Sequence, residues 1–130
     1  MWRKTVYFSL VLFLFTTNNF CFSQQKKISF SSKQSKGITL NNKKLLILWN
    51  NVLFKNNKSK MYCDSATYDR ANNSFIAYHN IKINENDSLE LYGDSLHYFG
   101  DDQMAYIYGN VFVKTSKISL KSPSLIYDQA

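Results

Sequence analysis

Apolar and polar residues alternate along three nine-residue stretches of this chain, Leu46–Phe54, Phe75–Ile83 and Ala105–Val113. In each, an aromatic stands fourth, an asparagine sixth, and an aliphatic residue follows the asparagine. The copies begin 29 and 30 positions apart. Alternation with period two predicts strands with one buried face. A repeat near thirty residues predicts a β unit stacked on copies of itself.

A second pattern fills the intervals. Met61–Tyr68 aligns with Leu91–Tyr98, and both align with Leu120–Tyr127. Here the apolar face changes parity: Met61 and Cys63 fall on one face, Ala66 and Tyr68 on the other if the strand is regular. A parity change inside a strand requires a bulge or a corner. It falls at Asp64-Ser65, Asp94-Ser95 and Pro123-Ser124, and proline belongs at bulges and edges because it has no N–H to give a ladder. Between strands lie Asn-, Asp- and Gly-rich turns such as Lys55–Lys58, Asp69–Asn73 and Phe99–Asp102. Short turns make antiparallel neighbours, so the chain reads as all-β, a meander of hairpins with six or seven strands. Residues 24–44 are Lys/Ser/Asn-rich and sparsely apolar, with Ile28–Phe30 and Ile38–Leu40 as short strand candidates at an edge.

The first residues change the picture. A basic start, Arg3-Lys4, precedes a densely apolar Val6–Phe15, polar Thr16–Asn19, and Cys21-Phe22-Ser23. The apolar part is shorter than the ~20 residues of a membrane span, so residues 1–23 read as a secretory signal peptide cleaved after Ser23. An uncleaved anchor is the alternative, and bulky Phe20 argues against a lipidated Cys21. The net charge of +7 becomes +5 without Arg3 and Lys4. It is uneven: residues 24–60 hold nine lysines and no acid, whereas 61–130 hold five basic and nine acidic residues. On an exported protein this favours an anionic glycolipid or membrane surface over nucleic acid, or a solvated lysine-rich segment with no partner. Cleavage leaves Cys63 alone, at an inward position, as a buried structural thiol without a disulfide framework.

No catalytic constellation stands out. His79 takes the place held by Asn50 and Gly109 in the other copies, and His97 that of Thr67 and Ile126, so both are scaffold positions rather than metal ligands or bases. Asp64 and Asp94 occupy equivalent bends, where their expected partners are backbone N–H groups. Nine tyrosines and ten phenylalanines are a larger resource. Trp49, Tyr78 and Tyr108 share one repeat position and Tyr68, Tyr98 and Tyr127 another, as expected of cross-strand ladders, with a subset free to face an acyl chain or sugar.

The recurring Asn51-Val52, Asn80-Ile81 and Gly109-Asn110-Val111, with Asp64-Ser65-Ala66-Thr67-Tyr68 and Asp94-Ser95-Leu96-His97-Tyr98, resemble the OstA-like (organic solvent tolerance) family of periplasmic lipopolysaccharide-transport proteins, in its Bacteroidota form. The resemblance covers about residues 44–128. Asn50 and His79 depart from the glycine usual before the asparagine, which loosens the turn, and the stop at Ala130 reads as the N-terminal part of a longer array. The resemblance implies repeated antiparallel β-hairpins forming a twisted, slit β-jelly roll. With the leader and the lead-in read from the residues themselves, the chain divides into a signal peptide (1–23), a lysine-rich lead-in with an edge strand (24–44) and an OstA-like β-repeat domain (45–130) of three copies of about thirty residues, the last incomplete. It implies no enzyme activity, no cofactor and no metal, but an apolar groove for the acyl chains of lipid A. Groove candidates are Leu46, Leu48, Val52, Phe54, Phe75, Ala77, Ile81, Ile83, Ala105, Ile107, Val111 and Val113, with Ala77 as the narrow point. Lys55, Lys82 and Lys114 are candidates for phosphate contacts at the rim. Implied partners are lipopolysaccharide, further OstA-like bridge proteins joined by edge-strand addition, and components of either membrane, with no nucleic acid. The alternative is a structural or adhesive secreted repeat protein whose apolar face is a closed core.

Overall fold

The computed structural model describes residues 28–56 and 58–129; the expected leader lies outside them. The described residues form one antiparallel sheet of eight strands. These are β1 (Ser29–Ser31), β2 (Gln34–Leu40), β3 (Lys43–Lys55), β4 (Ser59–Asp69), β5 (Ser74–Glu85), β6 (Leu89–Phe99), β7 (Met104–Thr115) and β8 (Ser119–Asp128). From β3 to β8 every strand pairs with its sequence neighbours, the meander that short turns dictate. The count exceeds six or seven because the lead-in supplies two strands to one edge. β1 pairs with Leu53–Lys55 and β2 with Lys43–Trp49, both on the same side of β3. The break between them sits against the corner of β3, where the Lys33 N–H donates to the Asn50 carbonyl at 2.8 Å.

Each long strand bends at its middle. On β3, β5 and β7 the ladder slips at Asn50-Asn51, His79-Asn80 and Gly109-Asn110, where two residues oppose the single Asp64, Asp94 or Pro123 of the strand that follows. All six lie in the left-handed region, with φ between 45° and 79°. The repeated Asn-Val therefore does not open a strand but turns a corner inside one. Nor is the departure from glycine a loosened turn: Asn50 (φ 61°) and His79 (φ 64°) hold the conformation glycine would adopt, and Asn and His are among the side chains that tolerate it. The parity change expected in β4 and β6 is real, since Cys63 and Ala66 are both buried, as are Gly93 and Leu96. The extra residue itself stands on the neighbouring strand.

Because the bends are in register, the sheet folds over as a whole into two facing layers. Ring contacts between residues that are not ladder neighbours demonstrate this. Phe54 pairs with Phe30 and Met61, and Phe75 with Tyr68 and Tyr98. Yet Phe54 and Phe75 stack face to face, with ring centroids 3.8 Å apart and planes 8° from parallel. Phe30 likewise reaches Tyr68 at 5.0 Å. The core lies between the layers and runs unbroken from Leu48 to Val111. β8 on one side and β1 with β2 on the other are not paired to each other, so among the described residues the folded sheet stays open along one seam.

Candidate functional site

The space between the layers gathers every groove candidate. Leu48, Val52, Phe54, Phe75, Ala77, Ile81, Ile83, Ala105, Ile107 and Val111 are buried, and Leu46 and Val113 are half-buried against them. The alternation explains this: between corners, odd and even positions face opposite sides. The odd-numbered strands are only half of the wall. Met61, Cys63, Ala66, Tyr68, Leu91, Leu96 and Tyr98 come from β4 and β6 and are buried in the same cluster. Ala77 has no exposed surface and lies in register between Ala66 and Leu96, so the interior is lined by two small side chains at that level. Gly93 takes the inward position that Cys63 holds in the previous unit, because a Cβ there would collide with Ile107.

A void of about 40 Å³ lies at one end of the interior, walled by Phe54, Met61, Phe75, Ile83 and Tyr98. Polar side chains close that end. The Asn56 amide donates to Gln129 at 2.8 Å, and the Gln129 amide donates to the Ser59 hydroxyl at 2.9 Å, joining the end of β8 to the β3–β4 turn. Burial raises the Tyr98 phenol above its ordinary range, partly offset by a hydrogen bond with Asn56. Burial, assisted by neighbouring Asp64, pushes the Cys63 thiol up to about 12. A thiol that stays protonated is no nucleophile at neutral pH. At the β7–β8 corner an open concavity of about 660 Å³ is lined by Val111, Phe112, Lys121 and Pro123.

The three candidate lysines all stand at outward positions of one layer, and they differ in what lies beside them. Lys55 is exposed beside the void at the closed end. Lys82 lies between inward Ile81 and Ile83, so it points from the outer face, with its ammonium 5.9 Å from the centroid of the Tyr92 ring. Lys114 is exposed on the same outer face, in register with Glu90. Neither stands at a groove rim. The bend carboxylates bond side chains rather than the backbone N–H groups expected: the Asn80 amide donates to Asp64 at 2.8 Å and the Asn110 amide to Asp94 at 2.9 Å. His79 is exposed at its corner, and His97 lies on the outer face 4.0 Å from the Phe99 ring centroid.

A family model described as OstA-like protein matches residues 24–130. The chain belongs to the OstA-like family. Among solved structures, the fold is similar to that of LptH from Pseudomonas aeruginosa, described as the LptA-homologous periplasmic component of the lipopolysaccharide transport device. The likeness has a TM-score of 0.66 at 11% identity and covers 79% of this chain and 76% of that one. At that identity it speaks for the fold, an all-β sheet folded over along a slit. Comparison with curated proteins finds no match. The OstA-like motif residues are thus the corner residues: Asn51, Asn80 and Asn110 turn the sheet, and two of the three tie it to an aspartate.

Proposed function

We propose that this OstA-like chain is a non-enzymatic periplasmic carrier that holds the acyl chains of lipopolysaccharide between its two layers and passes the lipid toward the outer membrane. The observation that carries the reading is the continuous apolar interior, walled by buried side chains of successive strands and open along one seam. Each methylene moved out of water gains about 0.8 kcal/mol, so a multi-chain lipid crossing an aqueous space needs such a cover. The family membership and the fold shared with LptH support the same assignment. The void beside Phe54 and Tyr98, about 40 Å³, is smaller than an acyl chain, so on this reading the layers separate along the seam to admit one. Lys55, beside the void, is the lysine placed to meet a lipid phosphate. The unpaired edges at β8 and at β1 with β2 suit strand addition by further OstA-like units.

The burial of the inward side chains against one another favours one other reading, a closed core with no lipid ligand. A photocrosslinking residue at half-buried Val113 and another at solvent-facing Tyr108 separate the two. A carrier gives lipopolysaccharide adducts at Val113 and few at Tyr108; a closed core gives none at either. Ala77→Phe adds the second test. In a carrier it abolishes lipid capture while circular dichroism stays β-rich, and in a closed core it unfolds the chain.

A further inference from the structure

The two outer faces of the folded sheet differ in charge. On the layer built from the later halves of β3, β5 and β7, Lys55, Lys60, Lys82, Lys114 and Lys121 all point outward, against Glu90 among them, with Asp64 and Asp94 exposed at the bent edge and Asp87 on the β5–β6 turn. Glu90 is itself engaged, accepting the Tyr92 hydroxyl at 2.9 Å. Tyr62 and Phe112 stand among these lysines on the same face, Tyr62 being 40% exposed. At the end of this layer the β7–β8 turn carries Ile118, whose 65% exposure is the largest among the big apolar side chains of the described residues, beside Lys117. The outer face of the other layer balances Asp69 and Asp128 with Lys36 and Lys43 among mostly uncharged side chains. Lysines interleaved with aromatics, with one exposed apolar side chain at a turn, are the composition of a surface that rests on lipid headgroups.

We propose that the Lys60–Lys82–Lys114–Lys121 face docks this protein on the surface of an anionic lipid bilayer. The ammonium groups meet the headgroup phosphates, and Ile118 reaches the acyl boundary. The surface potential of an anionic leaflet acts on each lysine separately, so their effects multiply, and added salt weakens them together. This contact lies outside the sheet and is independent of what the interior holds.

The test is co-sedimentation of the purified chain from Gln24 onward, the stretch left after the expected leader is cleaved, with vesicles of pure phosphatidylcholine or of phosphatidylcholine with phosphatidylglycerol. Binding is expected only to the anionic vesicles and should fall as the screening length drops from about 10 Å at 0.1 M salt to about 3 Å at 1 M. Lys60→Gln with Lys114→Gln should weaken it about 25-fold, at about fivefold per lysine. Should that pair fail to fold, Lys121→Gln at the sheet edge alone should cost about fivefold. Ile118→Ser should weaken binding at high salt as well as low. Lys36→Gln, on the opposite face, should change nothing, and soluble glycerophosphoglycerol should not compete. Equal binding to neutral vesicles, an unaffected lysine variant, an equal loss with Lys36→Gln, or competition by the soluble headgroup would each overturn the proposal. Ala77→Phe should leave vesicle binding intact, so loss of lipid carriage and loss of docking are told apart.

Discussion

Phe54→Ala tests whether the two layers rest on each other in solution. Phe54 is 3% exposed, stacks on Phe75 at 3.8 Å and has Phe30 at 5.9 Å. Removing a benzyl group forfeits about 2 kcal/mol of transfer free energy. It also leaves about 100 Å³ of space, which at ~24 cal/mol per Å³ of unrelaxed cavity adds about 2.4 kcal/mol. The sum, about 4–5 kcal/mol, falls within the range measured for buried Phe→Ala changes and is a large share of the 5–15 kcal/mol that holds a domain of this size. The new space joins the existing void of about 40 Å³. Together they approach the ~150 Å³ at which an apolar cavity binds benzene. Urea unfolding followed by tryptophan fluorescence should show the loss as a lower midpoint at unchanged slope. Benzene should restore part of it, in proportion to its saturation of the site. A loss below about 1.5 kcal/mol without benzene rescue would refute the reasoning, for it would mean that Phe54 faces water and the layers stand apart.

The corner residues give a prediction of opposite signs. His79→Gly places glycine where φ is 64° and should raise thermal stability by about 0.5–1 kcal/mol, whereas Gly109→Ala at φ 79° brings a Cβ to 2.5 Å from an Asp94 oxygen and should cost about 2 kcal/mol; two changes of like sign in thermal melts would show that the corners are not strained. Cys63 holds its proton more tightly folded (about 12) than unfolded (9.0), so its contribution is intact below pH 9 and lost as pH rises from there toward 12. Between pH 7.5 and 10 the unmodified chain should therefore lose about 1 kcal/mol more than Cys63→Ala does in urea titrations, and equal losses would place the thiol in water.

The alternation made the inward set legible because period two leaves no choice of face once Leu48, Ala77 and Ile107 are fixed. The corner was visible from one side only. In β4 the inward residues around the bend, Cys63 and Ala66, are three apart and break the alternation. In β5 they are Ala77 and Ile81, four apart, and an even spacing leaves the pattern looking unbroken. The strand with the uninterrupted pattern is thus the one that carries the left-handed residues, and Asn50, His79 and Gly109 share backbone geometry rather than chemistry. The outward direction of Lys82 is legible too, since a residue flanked by inward Ile81 and Ile83 faces outward. The Phe54–Phe75 stack was beyond reach of any local pattern. It joins strands through the fold of the whole sheet, and neither residue lies in the other's ladder.

The bend has a consequence for how such a protein scales. Each unit of about thirty residues contributes one corner strand, Asn80 in β5 or Asn110 in β7, and the strand before it that supplies Asp64 or Asp94. Two strands advance the stack by about 9.4–9.8 Å. Curvature is therefore a property of the single unit, while reach is a property of their number. Inserting or deleting a whole unit changes the length of the sleeve in steps of about 10 Å and leaves its bore unaltered. A change of one or two residues would instead throw one corner out of line with its neighbours and pinch the bore at that level.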